Sequence, residues 1–200
     1  YPSASSGPFR FDGSYIFTDP LSLNRGWWIG FPSAQNISYT GARTDEMNMV
    51  VKTGWNIIGS ISSAVSTSSI TTSPAGIVNS SYFKYVAGSG YVSVNSIEPG
   101  KGIWVSTSQN GYIKLKQTGL NKEMEFDFGT YDKFIITDSD GNSQELFVRN
   151  SQIVGTTESL EMPPAMPELE FDARFESNDI VRTVNPDEGI VDLSISVNAV

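Results

Sequence analysis

What most constrains this chain is that part of it matches itself. GSYIFTDPLSLNRGWWIG, beginning at Gly13, aligns without gaps on SGYVSVNSIEPGKGIWVS, beginning at Ser89. Tyr15 falls on Tyr91, Leu21 on Ile97, Arg25 on Lys101, Gly26 on Gly102 and Trp28 on Trp104, at a constant offset of 76 residues. Downstream, Ile37 and Tyr39 fall on Ile113 and Leu115. Coincidences in one register at a fixed period are the signature of an internal duplication, here of units spanning 13–41 and 89–117. LNRG and PGKG read as turns in which glycine relieves the backbone, with the tryptophan opening a strand. Alternation along GIWVS sends Trp104 to the face opposite Ile103 and Val105. The larger group is assigned to the core. Ile103 and Val105 are then expected in a second contact, against another sheet.

Helical periodicity is nearly absent. Short apolar or alternating runs, split by Gly, Asn, Asp, Ser and Pro, read as antiparallel strands. The clearest are NMVVKTGWNIIGSI, SYFKYV, GYVSV, GIWVS, GYIKLK, KFIITD, ELFVR and VDLSISV. SPAGIV at 73–78 reads as a short helix or turn. The fold class is all-β: antiparallel β-sandwich or barrel-like modules, in two tandem β-domains with little helix. Residues 1–120 hold the duplicated unit. A strand like TGWNIIGSI precedes the second copy but not the first, so the chain is expected to be truncated at its N-terminus. Residues 121–200 form a second, smaller domain with a hairpin at 133–149 and a Pro-rich covering segment at 162–167. A closing hairpin is expected over NPDEG.

Composition removes several function classes. With 13 basic and 22 acidic residues, the net charge of −9 opposes binding to nucleic acid phosphates and to anionic membrane surfaces. Cysteine and histidine are both absent, which excludes disulfides, zinc–thiolate sites, cysteine nucleophiles and a Ser-His-Asp triad. No apolar run approaches the roughly 20 residues of a membrane span, so no membrane insertion is expected.

GWNIIGSIS, IEPGKGIWV and GSGYVS resemble a repeated β-module of large secreted bacterial surface proteins, the cargo of the type IX secretion system. That module typically reads Gly-Trp-Asn-Leu-Ile-Gly, then a Tyr-rich segment, then Pro-Gly-Lys-Gly-Tyr-Trp. Here Ile103 replaces the aromatic before Trp104, and LNRGWW keeps the aromatic pair without the Pro-Gly. IITDSDGNSQELFV with LEMPPAMPELEFDARF resembles a β-segment that often follows such modules. The resemblance implies a secreted or cell-surface location and carries no catalytic residues.

Three constellations are candidates for chemistry. Trp27, Tyr15 and Tyr91 could stack on sugar faces, since adjacent strand residues point oppositely and the match makes Trp28, not Trp27, the repeated core anchor. Trp28, Trp55 and Trp104, with Gly26 and Gly102, are expected to be structural anchors. Asp138, Asp140 and Asn142 alternate in an oxygen-rich turn as calcium requires, although Asp140-Gly141 between two apolar runs reads better as a tight hairpin turn. Glu170, Asp172, Glu176 and Asp179 read as a solvated acidic face. Asn36 and Asn79 lie in glycosylation sequons. No carboxylate pair stands out as a glycosidase site, and no cofactor is expected beyond the calcium candidate. The expected function is a non-catalytic extracellular structural or adhesive module, not an enzyme. It could be a self-assembling filament subunit joined through sheet edges, with itself or neighbouring modules as protein partner. The alternative is a carbohydrate-binding module of a secreted multidomain hydrolase, with a glycan as partner.

Overall fold

The computed structural model describes residues 3–18, 21–38, 40–117, 131–150, 160–165, 171–184 and 193–197. The fold is all-β, and among the described residues no helix is long and apolar enough to cross a membrane. The described residues hold seventeen strands in chain order: β1 Ser6–Phe11, β2 Tyr15–Phe17, β3 Trp28–Gly30, β4 Glu46–Val51, β5 Gly54–Ile58, β6 Val65–Ser66, β7 Thr71–Ser73, β8 Phe83–Val86, β9 Gly90–Ser93, β10 Ser96–Ile97, β11 Ile103–Thr107, β12 Gly111–Lys116, β13 Asp132–Thr137, β14 Ser143–Asn150, β15 Phe171–Phe175, β16 Val181–Val184 and β17 Leu193–Val197. SPAGIV forms a turn rather than a helix.

The central sheet has the order β5-β11-β8-β9, and every residue of β11 is buried. Because successive side chains alternate, β11 supplies two cores. Ile103 and Val105 join Ile58 and meet Met49, Val51, Ile113 and Leu115 of the sheet β4-β12-β7. Trp104 points the other way, with Ile57, Phe83 and Tyr91. The second contact inferred for Ile103 and Val105 from alternation is therefore a full core.

On the Trp104 side lies the N-terminal sheet β2-β1-β3. Phe9 pairs with Phe17 and Trp28, and Phe11 with Tyr15, so one face of this sheet is aromatic. The central sheet has the corresponding pairings: Phe83 with Ser93 and Trp104, and Tyr85 with Tyr91. Both triplets have the hairpin's first strand in the middle. The two faces then exchange rings. Trp104 meets Phe11 edge-on at 5.0 Å, and Trp28 meets Tyr85 edge-on at 5.1 Å, the geometry the ring quadrupoles favour.

Leu146, Phe147, Met162, Phe175, Ile180 and Val181 complete the Trp104 core, so it is built from both sides of residue 120. β13 and β14 form a hairpin from Asp132↔Val148 to Thr137↔Ser143. β16 does not form the expected closing hairpin with β17. It pairs with β14 in parallel, while β17 pairs with β15. Parallel neighbours need a long crossover, and residues 151–180 provide it. The turn residues of NPDEG lie outside the described residues.

One side chain stands in for a missing strand. Gln144 is buried, accepts from the Tyr91 N–H at 2.9 Å and donates to the Tyr91 carbonyl at 3.0 Å. Its carboxamide thus closes the outer edge of β9 as a neighbouring backbone would. Gly90 makes room: its φ is +69°, and a Cβ there would sit 1.9 Å from Gln144 Oε1. Replacing Gln144 with Ala strands two buried backbone groups, each costing about 1–3 kcal/mol when unpaired. Gln144→Ala should therefore lower the unfolding free energy by about 2 kcal/mol or more in urea titration, with loss of hydrogen-exchange protection at the Tyr91 amide.

Candidate functional site

The residues of the Gly-Trp-Asn stretch hold the fold. Trp55 packs edge-on against Phe83 at 6.0 Å and Trp104 at 6.2 Å. Asn56 closes its own hairpin: its amide donates to the carbonyls of Lys52 and Gly54, both at 2.8 Å, and its Oδ1 accepts from the Lys52 N–H at 2.9 Å.

Of the matched tryptophans, Trp104 is 2% exposed and Trp28 is half-buried. Trp28 packs at the margin of the Trp104 core, edge-on against Tyr85, and is less buried than Trp104, a correction to their expected equivalence. The physical reason is that β11 has β5 on its far side, whereas among the described residues no strand pairs with the far edge of β3. Gly26 and Gly102 differ likewise. A Cβ on Gly26 would lie 2.4 Å from Ile57 Cγ2 and 2.5 Å from the Ile58 carbonyl oxygen, because the Gly26 N–H donates to the Ile57 carbonyl at 2.9 Å. At exposed Gly102 the nearest atoms are at 3.4 Å, ordinary contact. Gly102 is not a packing requirement.

The proposed sugar platform does not assemble. Trp27 is half-buried, its indole N–H donating to the Ser22 carbonyl at 3.2 Å. Tyr91 is buried and Tyr15 half-buried, and both hydroxyls donate to one acceptor, the Pro164 carbonyl, at 2.8 Å and 3.3 Å. These tyrosines face inward because they lie on the aromatic faces that the two sheets press together. A glycan-binding role would rest on Trp27 alone.

At the turn, Asp138 uses its carboxylate on its own loop. Oδ1 accepts from the Asp140 and Asn142 N–H groups, and Oδ2 from the Asn142 amide, each at 2.9 Å. The Asn142 amide, aided by these backbone donors, holds the carboxyl below its ordinary range. The connection spans residues 138–142, longer than a two-residue turn, with Gly141 at φ +87°. Among the described residues no three acidic groups come together as a metal cage.

The acidic face is also corrected. Asp172 is buried, and its carboxylate receives both the Nε of Arg174, at 3.0 Å, and its Nη2. Asp179 is raised above its usual pKa range by burial, Glu176 is exposed, and Glu170 lies outside the described residues. The remaining donors of Arg174 were not foreseen as functional. Nη1 reaches the Pro163 carbonyl at 3.0 Å and also the Asn178 side-chain oxygen.

No protein-family model, curated protein or solved structure matches the chain.

Two measurements probe this centre. Gly26→Ala should cost about 1–3 kcal/mol, the range for forced overpacking, while Gly102→Ala stays within about 0.5 kcal/mol, both read from denaturation midpoints. Burial raises the pKa of Tyr15, Tyr82 and Tyr91 in the fold above the unfolded value of about 10. Their neutral forms therefore contribute stability that is complete below about pH 10 and is lost as pH rises beyond it. In a spectrophotometric alkaline titration these three tyrosines should ionise only together with unfolding.

Proposed function

We propose that this chain is a non-catalytic structural or adhesive module of a secreted bacterial surface protein, joining a second copy or a neighbouring module by strand pairing along β13. The observation that carries this reading is the state of that strand. Among the described residues, β13 is six residues long, lies at the edge of the order β13-β14-β16, and exposes apolar groups on both faces, with Phe134 at 50% and Ile135 at 56%. Long apolar edges offer an unpaired row of N–H and C=O groups to another strand. Asp132 and Lys133, the latter paired across the hairpin with Glu145 at 3.0 Å, are the charges on this strand that temper unspecific growth.

The two matched segments are, in this reading, copies of one unit. Their shared strand order and aromatic register support it. So does the structural employment of Trp55, Asn56, Gly26 and Trp104, which leaves the resembling motif a scaffold rather than a reaction centre.

Sedimentation velocity across a wide concentration range, with electron microscopy of the most concentrated sample, tests the proposal. Concentration-dependent dimers or larger assemblies are expected. Ile135→Lys on the edge should shift them to monomer without lowering the melting temperature, because Ile135 is exposed. A wild-type chain that stays monomeric throughout rules out self-association through β13.

A further inference from the structure

Between the aromatic hairpins and β15 runs the segment Leu160–Ala165, LEMPPA. An antiparallel bridge, Glu161 to Asp179, holds its start, but Pro163 and Pro164 have no N–H, so the pairing cannot continue through them. The segment is held one carbonyl at a time. The Met162 carbonyl accepts from the Asn178 amide at 3.3 Å, the Pro163 carbonyl from Arg174 Nη1 at 3.0 Å, and the Pro164 carbonyl from Tyr91 and Tyr15 at 2.8 Å and 3.3 Å. Main-chain bonds fix the start, from the Met162 N–H to the Asn178 carbonyl at 2.7 Å and from the Ile180 N–H to the Leu160 carbonyl at 2.8 Å. The Met162 side chain is wholly buried in the Trp104 core.

Side-chain donors on three successive carbonyls, with a buried apolar anchor beside them, are how proteins recognise extended proline-containing peptides. Three of the four donors, Tyr15, Tyr91 and Arg174, also have supports outside the segment they hold. Tyr15 and Tyr91 sit on hairpins fixed by their own pairing and by the exchanged Trp104 and Trp28 rings. Arg174 is aimed by its two-point contact with Asp172, which spends part of its fork and directs the rest at Pro163.

We propose that this groove is a peptide-recognition site for an extended apolar-Pro-Pro segment, and that its resident ligand is the chain's own Leu160–Ala165. The site goes beyond the β13 assembly reading and stands without it.

The probe is a fluorescein-labelled peptide of sequence LEMPPA, and the host is a full chain in which Met162→Ala and Pro164→Gly loosen the resident segment. Anisotropy should show saturable binding to this variant at least tenfold tighter than to the unaltered chain, whose groove is filled. Adding Tyr15→Phe and Tyr91→Phe should weaken binding about tenfold, the worth of two hydroxyl hydrogen bonds. A folded variant that does not bind the peptide, or binds it equally with the tyrosines removed, overturns the proposal. Should the loosened variant be unfolded, the peptide in excess must restore its native tryptophan fluorescence, and failure to do so is equally fatal to it.

Discussion

Everything in this fold hangs on β11 being covered on both sides. A strand with one wet face can place a wrong residue outside at little cost, but β11 has no outside. Its tryptophan must find aromatic edges on one side and its isoleucine and valine an aliphatic layer on the other. The sheet β4-β12-β7 exists to meet the second demand and the N-terminal sheet to meet the first. Burying a ring of this size contributes several kcal/mol, comparable to the net stability of a whole domain. The edge-on contacts with Phe11, Tyr15 and Trp55 add direction to it.

Around that centre, side chains repeatedly take over work that backbones do elsewhere. The strands are short, and an antiparallel ladder of two to six residues leaves many polar groups at its ends. Gln144 closes β9, Asn56 closes the turn into β5, and Arg174 with the paired tyrosines holds a proline segment that cannot pair for itself. At Gln144 and at Arg174 the solution removes a buried unpaired group, the costly alternative. Each also ties one part of the chain to another: Gln144 joins the 131–150 hairpin to the first half, and Pro164 joins the crossover to both aromatic hairpins.

Strand identity was legible in the sequence because it depends on local alternation. GWNII, GIWVS, GYIKLK and KFIIT all form strands, and the two faces of GIWVS followed from period two alone. Partners were not legible. Nothing local in DIVRTV says that its neighbour is β14 in parallel rather than β17, because that choice depends on where a thirty-residue crossover returns. The charge pattern misled for a related reason. Asp172 reads as solvated until Arg174, two residues on along the same strand face, is known to be buried with it. FDARF hid its full burial behind that ion pair. Trp28 looked equivalent to Trp104 because a self-match reports ancestry-like similarity of sequence and is silent about which copy received a further strand beside it. Tyr15 and Tyr91 read as sugar-stacking candidates, but both hydroxyls are taken by one carbonyl, 149 and 73 residues away, beyond any local signal.

The exposed edge of β13 has a geometric consequence. When two copies of one strand edge pair antiparallel, the contact is self-complementary under a twofold rotation: each copy uses the same patch, and the patch is then spent. Such pairing closes after two subunits. A filament without end demands a head-to-tail contact in which β13 meets a different surface of the next molecule. Symmetry, rather than stickiness, decides between the two. For the assembly proposed above, stoichiometry would report directly whether β13 recognises itself or something else.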